Sequence, residues 1–450
     1  MSAAREAASG APRPLLSVGD GVFLTVGMVL GVGIFKLPSL VAGNTASPTE
    51  FLLAWLLGGA VSLCGALVYA ELASRHPETG GEYVFLFRGF GRGAAFLFAW
   101  SRMTVIQTGA IAAVAFAFGD YASEIVRLGD KSSALWAAIG VIALTALNIA
   151  GTLQTKALQK TLEIALIAAL LVIAFGGFLA GGTPKPAPAG GSANLSFGLA
   201  MIFVLFTYGG WNEAAYLSGE VRDARRNMTR ILVGGIVVVT LLYLLVNAGY
   251  LAALGLAGMR ESKAVAADAM RLLAGDKAVV LIALVVCVSA LTTMNAAIFT
   301  GARASWALGR DFPLFGRVGA WRESGSTPAN ALLLQGAITL VLVAAGSVTP
   351  DGFGAMVAYT APVFWTFFLL TGLTLFVFRA RGGAAPAFRV PLHPFVTLAF
   401  LGMCAYMLWS SIDYIRNPVF GPKFGNLVLA GLAVMAAGIP AYFLARRQRA

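Results

Sequence analysis

The sequence predicts an all-α polytopic membrane protein of twelve transmembrane helices. Of its 450 residues 58% are hydrophobic and only 12% charged, with a mean hydropathy of +0.81. Apolar stretches of about 20 residues, enough to cross a bilayer as a helix, recur along the whole chain. Lys and Arg concentrate in every second connection between them, as the positive-inside rule requires.

The expected spans are 17–42, 50–74, 94–120, 134–151, 157–181, 195–219, 230–254, 277–302, 329–347, 353–378, 393–412 and 425–445. The first sixteen residues are small and polar and lack the apolar core of a signal peptide, so span 1 is expected to stay in the protein. With both termini cytoplasmic, 21 of the 32 Lys and Arg fall in cytoplasmic segments and nine in external ones, counting residues at span ends with their loops. Lys36 and Arg102 lie inside spans. Topology thus accounts for the net charge of +12, and no nucleic-acid partner is expected. The chain is assigned to a plasma (inner) membrane, with the lipid bilayer as its surroundings.

Span 1 is interrupted at Gly31-Val32-Gly33-Ile34-Phe35 and span 6 at Phe206-Thr207-Tyr208-Gly209-Gly210-Trp211-Asn212. Glycine inside an apolar helix lets the backbone leave helical geometry, which is tolerable only against protein, ligand or a watery cavity. Between the two lies Gly181–Ala193, a linker carrying Pro184, Pro186 and Pro188. It separates spans 1–5 (first repeat, 17–181) from spans 6–10 (second repeat, 195–380). An odd number of spans per half inverts the second half, so each broken helix opens its repeat. Spans 11 and 12 (393–445) lie outside the repeat. In external loop 7–8, Val265, Ala266, Ala269, Leu272 and Leu273 have helical spacing. The segment is either a short amphipathic helix over the outer mouth or a solvated connector.

Cys64, Cys287 and Cys404 fall inside spans and read as small apolar fillers. No external cysteine is placed to tether a partner subunit by a disulfide. His76 and His393 are too few for a metal cluster, and no cofactor is expected. There is no HExxH, no Gly-x-Ser-x-Gly elbow and no pair of aspartates within spans, which argues against an intramembrane enzyme and leaves no catalytic residue to name. A channel filter is normally built by symmetric assembly, and two broken helices in one chain fit a central binding site better. A non-transporting membrane sensor remains open.

The run from Phe206 to Asn212, followed by Glu220-Val-Arg-Asp-Ala-Arg-Arg-Asn227, resembles the amino acid–polyamine–organocation superfamily, and within it the L-type amino acid transporter branch. Further matches are Gly31 to Phe35, Tyr69 to Leu72, Gly80 to Tyr83, Asn295 to Arg303 and Gly309 to Asp311, so the likeness spans about Ser17 to Arg389. The resemblance implies a leucine-transporter-type 5+5 inverted repeat. It also implies alternating access and an amino acid substrate. Polyamines and other organic cations are the alternative cargo.

A zwitterion needs donors for its carboxylate and acceptors for its ammonium. The N–H groups of Val32, Gly33 and Ile34, at the positive end of the outer half of span 1, suit the carboxylate. The C=O groups of Phe206, Thr207 and Tyr208 suit the ammonium. Glycines 31, 33, 209 and 210 allow close approach, or merely close helix packing. By resemblance Phe206 is an aromatic gate over the site. Trp211 and Asn212 line or support the side-chain pocket. Glu213 pairs with a cationic substrate, carries a proton, or partners an internal Arg. Lys36 and Arg102 read as buried or interfacial structural charges.

Many relatives carry a lysine in span 5 in the place of a sodium ion, and Leu166 stands at that position here. Coupling therefore rests on three alternatives: sodium held by span 1 carbonyls and the hydroxyls of Ser289, Thr292 and Thr293 in span 8, a proton on Glu163, or uncoupled exchange. The hydroxyls can equally bond their own helix, and Glu163 can pair with Lys160. By family pattern Glu71, Glu82, Glu220, Arg303, Arg310 and Asp311 form an inner-gate network.

Overall fold

A computed structural model describes residues 17–76, 81–150, 156–180, 196–213, 221–320, 327–382, 386–413 and 421–447. The linker Gly181–Ala193, the inner remainder of span 6 after Glu213, and Glu220 lie outside these residues.

The first expected break is present. Helix α1 (Val18–Val29) starts at a capping box, with Ser17 and Asp20 bonding each other's backbone and side chain. It stops at Val29, and α2 (Gly33–Gly43) resumes after a 52° bend. Helix α3 (Pro48–Arg75) opens with Pro48 at its first position behind a Ser47 cap. Helices α4 (Gly81–Phe90) and α5 (Arg92–Ser101) follow. The helix begun by α5 continues through a π-helical turn, Arg102–Ile106, into α6 (Gln107–Ile125). Then come α7 (Ser132–Ala150), α8 (Lys156–Ala180) and α9 (Phe197–Thr207). Helix α9 ends where the second break was expected.

The second half continues with α10 (Ala224–Glu261), α11 (Val265–Ala274), α12 (Asp276–Asp311), α13 (Ala329–Gly346), α14 (Gly352–Arg381), α15 (Phe395–Asp413) and α16 (Gly421–Arg447). Helix α10 is kinked near its outer end at Gly255, whose φ of 65° only glycine adopts freely.

Among the described residues nine helices are long and apolar enough to cross a membrane, and the bent pair α1–α2 makes up to ten. Expected spans 5 and 6 appear as shorter apolar helices, Glu163–Leu179 and Phe197–Thr207. Large apolar side chains stay exposed along the outer faces, such as Leu179 at 87%, Val341 at 68% and Leu241 at 64%. Apolar surface on this scale belongs against lipid. The protein is a multi-pass membrane protein.

Inside, small residues bring backbones together. A Cβ on Gly177 of α8 would fall 2.2 Å from the Gly249 carbonyl oxygen on α10, and one on Gly21 of α1 would strike Ile231. Helix α10 packs on α1, α2, α3 and α8, while α6, α7, α12 and α13 pack together as a second group.

Helix α11 forms in loop 7–8, as one of the two readings held. Val265, Ala266 and Ala269 are fully buried, and the helix lies on α2, α8, α10 and α12. Leu272, expected on the same apolar face, is 59% exposed instead. It sits in the last turn, where the helix overhangs its support.

Candidate functional site

The two breaks meet. A Cβ on Gly33 would lie 3.2 Å from Thr207 Cγ2, and one on Gly210 would lie 2.3 Å from the Met28 carbonyl oxygen. Gly210 also has φ +107°, which L side chains rarely adopt. Gly210 therefore needs glycine for contact between α1 and the end of α9, while Gly33 lets Thr207 approach closely. Gly31 sits one short contact away, 4.0 Å from Thr293 Cγ2 of α12. Gly209 faces only its own segment, at the Phe206 carbonyl.

At the first break Leu30, Gly31 and Val32 are outside both helices. The N–H of Gly31 turns back to the Val29 carbonyl (2.8 Å) and that of Phe35 to Val32 (3.1 Å). Helix geometry leaves the N–H groups of Gly33 and Ile34, at the start of α2, without intrahelical acceptors. The side chains of Val32 and Ile34 are buried, while Gly31 and Gly33 stay partly exposed.

At the second break the carbonyl account changes. The Thr207 carbonyl, expected to be open for an ammonium, accepts the Tyr243 hydroxyl at 3.1 Å, and the same hydroxyl reaches the Val29 carbonyl at 2.9 Å. The Phe206 carbonyl accepts the Gly209 N–H. Each carbonyl keeps a second lone pair, but neither is orphaned as anticipated. Tyr243, fully buried on α10, thus ties both breaks together, and sequence reasoning missed it. No break motif surrounds it; only its place on α10 beside both breaks reveals the role.

Side chains at the second break divide by direction. Tyr208 is fully buried and donates to the Trp55 carbonyl of α3 (3.0 Å), so only its main chain faces the break. Trp211 packs edge-on against Tyr69 (5.0 Å) and Phe368 (5.8 Å). It borders a small aromatic cleft with Val61, Leu205, Phe364 and Phe400, toward α3, α14 and α15. Trp211 thus packs among aromatic side chains of α3, α14 and α15 behind the second break. Asn212 donates to Glu82 at 2.7 Å, the polar partner anticipated for it.

Glu213 accepts the Arg102 guanidinium at 2.8 and 3.1 Å. Arg102 is buried and Glu213 about one third exposed (35%). The two intramembrane charges of unknown partner are thus each other's. Arg102 opens the π-helical turn of the α5–α6 helix, a local change of pitch that often marks functional positions. The pair links that helix to the end of the second break.

Aromatic and charged contacts close around the two breaks. Phe206 meets Phe353 of α14 edge-on at 5.9 Å. Tyr121 donates to the Phe35 carbonyl at 2.6 Å. Lys36, expected to be structural, pairs with Asp120 at 2.9 Å and donates to the Lys263 carbonyl at 2.9 Å. Nearby Asp351, at the start of α14, is held above the usual carboxylate range by burial, against the pull of Lys36.

Of the coupling candidates, Thr292 bonds its own helix at the Val288 carbonyl (2.9 Å), and Thr293 turns its methyl toward Gly31. Ser289 is buried. Thr292 is therefore occupied with its own backbone rather than aimed at span 1. Glu163 is 8% exposed and packs against Gly27 of α1; the Lys160 side chain lies outside the described residues.

The inner network differs from its expected membership. Glu71 is fully buried and binds Arg75, Arg379 and the Val390 N–H. Glu82 takes Asn212 and Tyr69. Arg303 folds over the Phe299 ring at 3.2 Å and bonds the Phe299 carbonyl, because helical i, i+4 spacing puts it there. The side chains of Arg310 and Asp311 lie outside the described residues.

Comparison with known proteins identifies the family. The amino acid permease family model matches residues 16–434. The serine/threonine exchanger SteT of Bacillus subtilis (strain 168) is 27% identical over 434 residues, 95% of each chain. The mouse (Mus musculus) b(0,+)-type amino acid transporter 1 is 28% identical over 429 residues, 92% of this chain and 85% of its own. The human (Homo sapiens) cystine/glutamate transporter is 25% identical over 436 residues, 94% and 83% of the two chains. All three are named as transporters or exchangers and none as an enzyme. With its model covering nearly the full length, the chain belongs to the amino acid permease family.

Proposed function

We propose that the protein moves amino acids across the plasma membrane by alternating access, with the substrate held between the breaks at 31–34 and 206–211. The observation that carries this reading is the contact of the two breaks, Gly33 on Thr207 and Gly210 on Met28. It leaves the N-terminus of α2 beside the end of α9, donors near acceptors, with Gly210 at the closest approach. The carboxylate takes the N–H groups of Gly33 and Ile34, and the ammonium takes the remaining lone pairs of the Phe206, Thr207 and Tyr208 carbonyls. Phe206 on Phe353 closes the outer path. The mobile bundle is α1–α2, α3, α9 and α10, and the scaffold is α6, α7, α12 and α13. Together with the linker and the unpaired last two spans, this corresponds to twelve spans in a five-plus-five inverted repeat with cytoplasmic termini.

Exchange of small neutral amino acids is the favoured cargo and mode. The pairing of Glu213 with Arg102 removes the one carboxylate that argued for a cationic substrate. The test is thermal stabilisation of the purified chain across a panel of amino acids and polyamines, with and without sodium. Ligand at 100 times its Kd adds about 2.7 kcal/mol of stability. Serine, threonine or other neutral amino acids should shift the melting temperature. A shift by polyamines alone would move the cargo to organic cations, and no shift by any amino acid would reject the site.

A further inference from the structure

We propose that the Glu163 carboxyl is a proton-binding site that the inner half of the broken helix covers and uncovers. The proposal rests on the alternating-access reading above and adds a proton to it. Two independent observations carry it. Glu163 is 8% exposed, and its Oε1 has no hydrogen-bond partner. The same carboxyl lies on the backbone of Gly27 in α1: a Cβ there would fall 2.3 Å from Oε1 and 2.6 Å from Oε2. Gly27 stands four residues before Gly31, on the half-helix that ends at the first break.

A buried carboxylate without a partner keeps its charge only at great cost, and inside a membrane protein it is held neutral by a proton or put to use. Among the described side chains, the elements packed on α8 offer no counter-charge in bonding contact with Glu163. On α10, Arg226 and Arg230 are exposed and Tyr243 is committed to the two breaks. On α12, Cys287 faces the Phe118 carbonyl and Arg303 lies over Phe299. On α11, Asp268 and Arg271 bind each other, and on α1 Asp20 closes its capping box with Ser17. With α1 in place the carboxyl is covered and carries its proton. When α1 swings away, water reaches the group, the O–H bond breaks, the proton passes to water and the hydrated carboxylate remains. Re-covering the site requires a proton from water again. The charge state of Glu163 and the position of α1 are thereby one equilibrium.

The test uses the full chain. Infrared spectra of the purified protein read the protonated carboxyl directly, and proteoliposomes read uptake of the amino acid chosen by the stabilisation panel, with and without an imposed proton gradient. The wild type should show a protonated-carboxyl band that Glu163→Gln lacks. Its ratio of uptake with to without the gradient should exceed one, and in Glu163→Gln that ratio should fall to one. An identical band in both proteins, no gradient response in the wild type, or a response retained by Glu163→Gln would each overturn the proposal. If Glu163→Gln does not insert, Gly27→Ala decides. Its methyl must displace the carboxyl, so the band should titrate at a shifted pH, and an unshifted titration rejects the site. If the wild type moves no amino acid at all, the transport reading fails, while the infrared difference still judges the proton site.

Discussion

At the scale of single residues, Gly33, Gly210 and Tyr243 hold the two breaks together, and with them the proposed site. Gly33→Leu puts a branched side chain into a gap already closed to 3.2 Å at Thr207. Substrate stabilisation should vanish while the protein still inserts and runs monodisperse. Tyr243→Phe leaves the Thr207 carbonyl without its hydroxyl donor, while Val29 keeps the Gly31 N–H. A loss of about 1–3 kcal/mol in thermal stability is expected, the cost of unsatisfied buried polar groups. A melting curve that does not move would show that the hydroxyl is dispensable. Glu213→Gln strands the buried Arg102 charge. Because Glu213 is partly exposed, the loss should be about 1–3 kcal/mol, below that of a fully buried pair. Substrate charge preference should stay unchanged, and a preference that does move would restore Glu213 to the substrate site. The glycines, Asn212 and the structural character of Lys36 were legible in the sequence, because break motifs and intramembrane charges have few other uses. The partner of Arg102 was not, since the two residues lie 111 positions apart and only the fold joins them.

Broken helices dominate at the scale of elements. Their places were readable because glycine inside an apolar run has few rival explanations. Their hydrogen bonding was not, because Tyr243 comes from a third helix. The π-helical turn at 102–106 was equally hidden: its residues, Arg-Met-Thr-Val-Ile, carry no helix-breaking type. Helix α11 was half legible, with its spacing right and Leu272 on the wrong side of the overhang. The proposed gate belongs to this scale as well. Phe206 closes on Phe353 through one edge-to-face contact, worth about 0.5–1.5 kcal/mol beyond buried area. Phe206→Ala should therefore reduce uptake several-fold more than it lowers the melting temperature. Wild-type uptake would remove the gate.

Two groups of helices meet at the breaks at the scale of the whole molecule. One is held by α10 on α1, α2 and α3, the other by α6, α7, α12 and α13. The all-α membrane class followed from composition alone, since few other folds bury so little charge in 450 residues. The pairing of helices across the halves did not, because helix-facing and lipid-facing surfaces are both apolar here. At one end of the breaks Lys36 pairs with Asp120, Tyr121 donates to the Phe35 carbonyl and Phe206 meets Phe353, the contacts that the proposed outer gate would use. The central claim is that a zwitterion sits between the breaks and is carried as the groups rock. Counterflow in sealed proteoliposomes tests it most directly. Vesicles preloaded with an unlabelled neutral amino acid should accelerate saturable uptake of the labelled one, and Gly33→Leu should abolish that acceleration. Uptake that rises linearly with concentration, ignores the internal amino acid, or persists in Gly33→Leu would contradict the account.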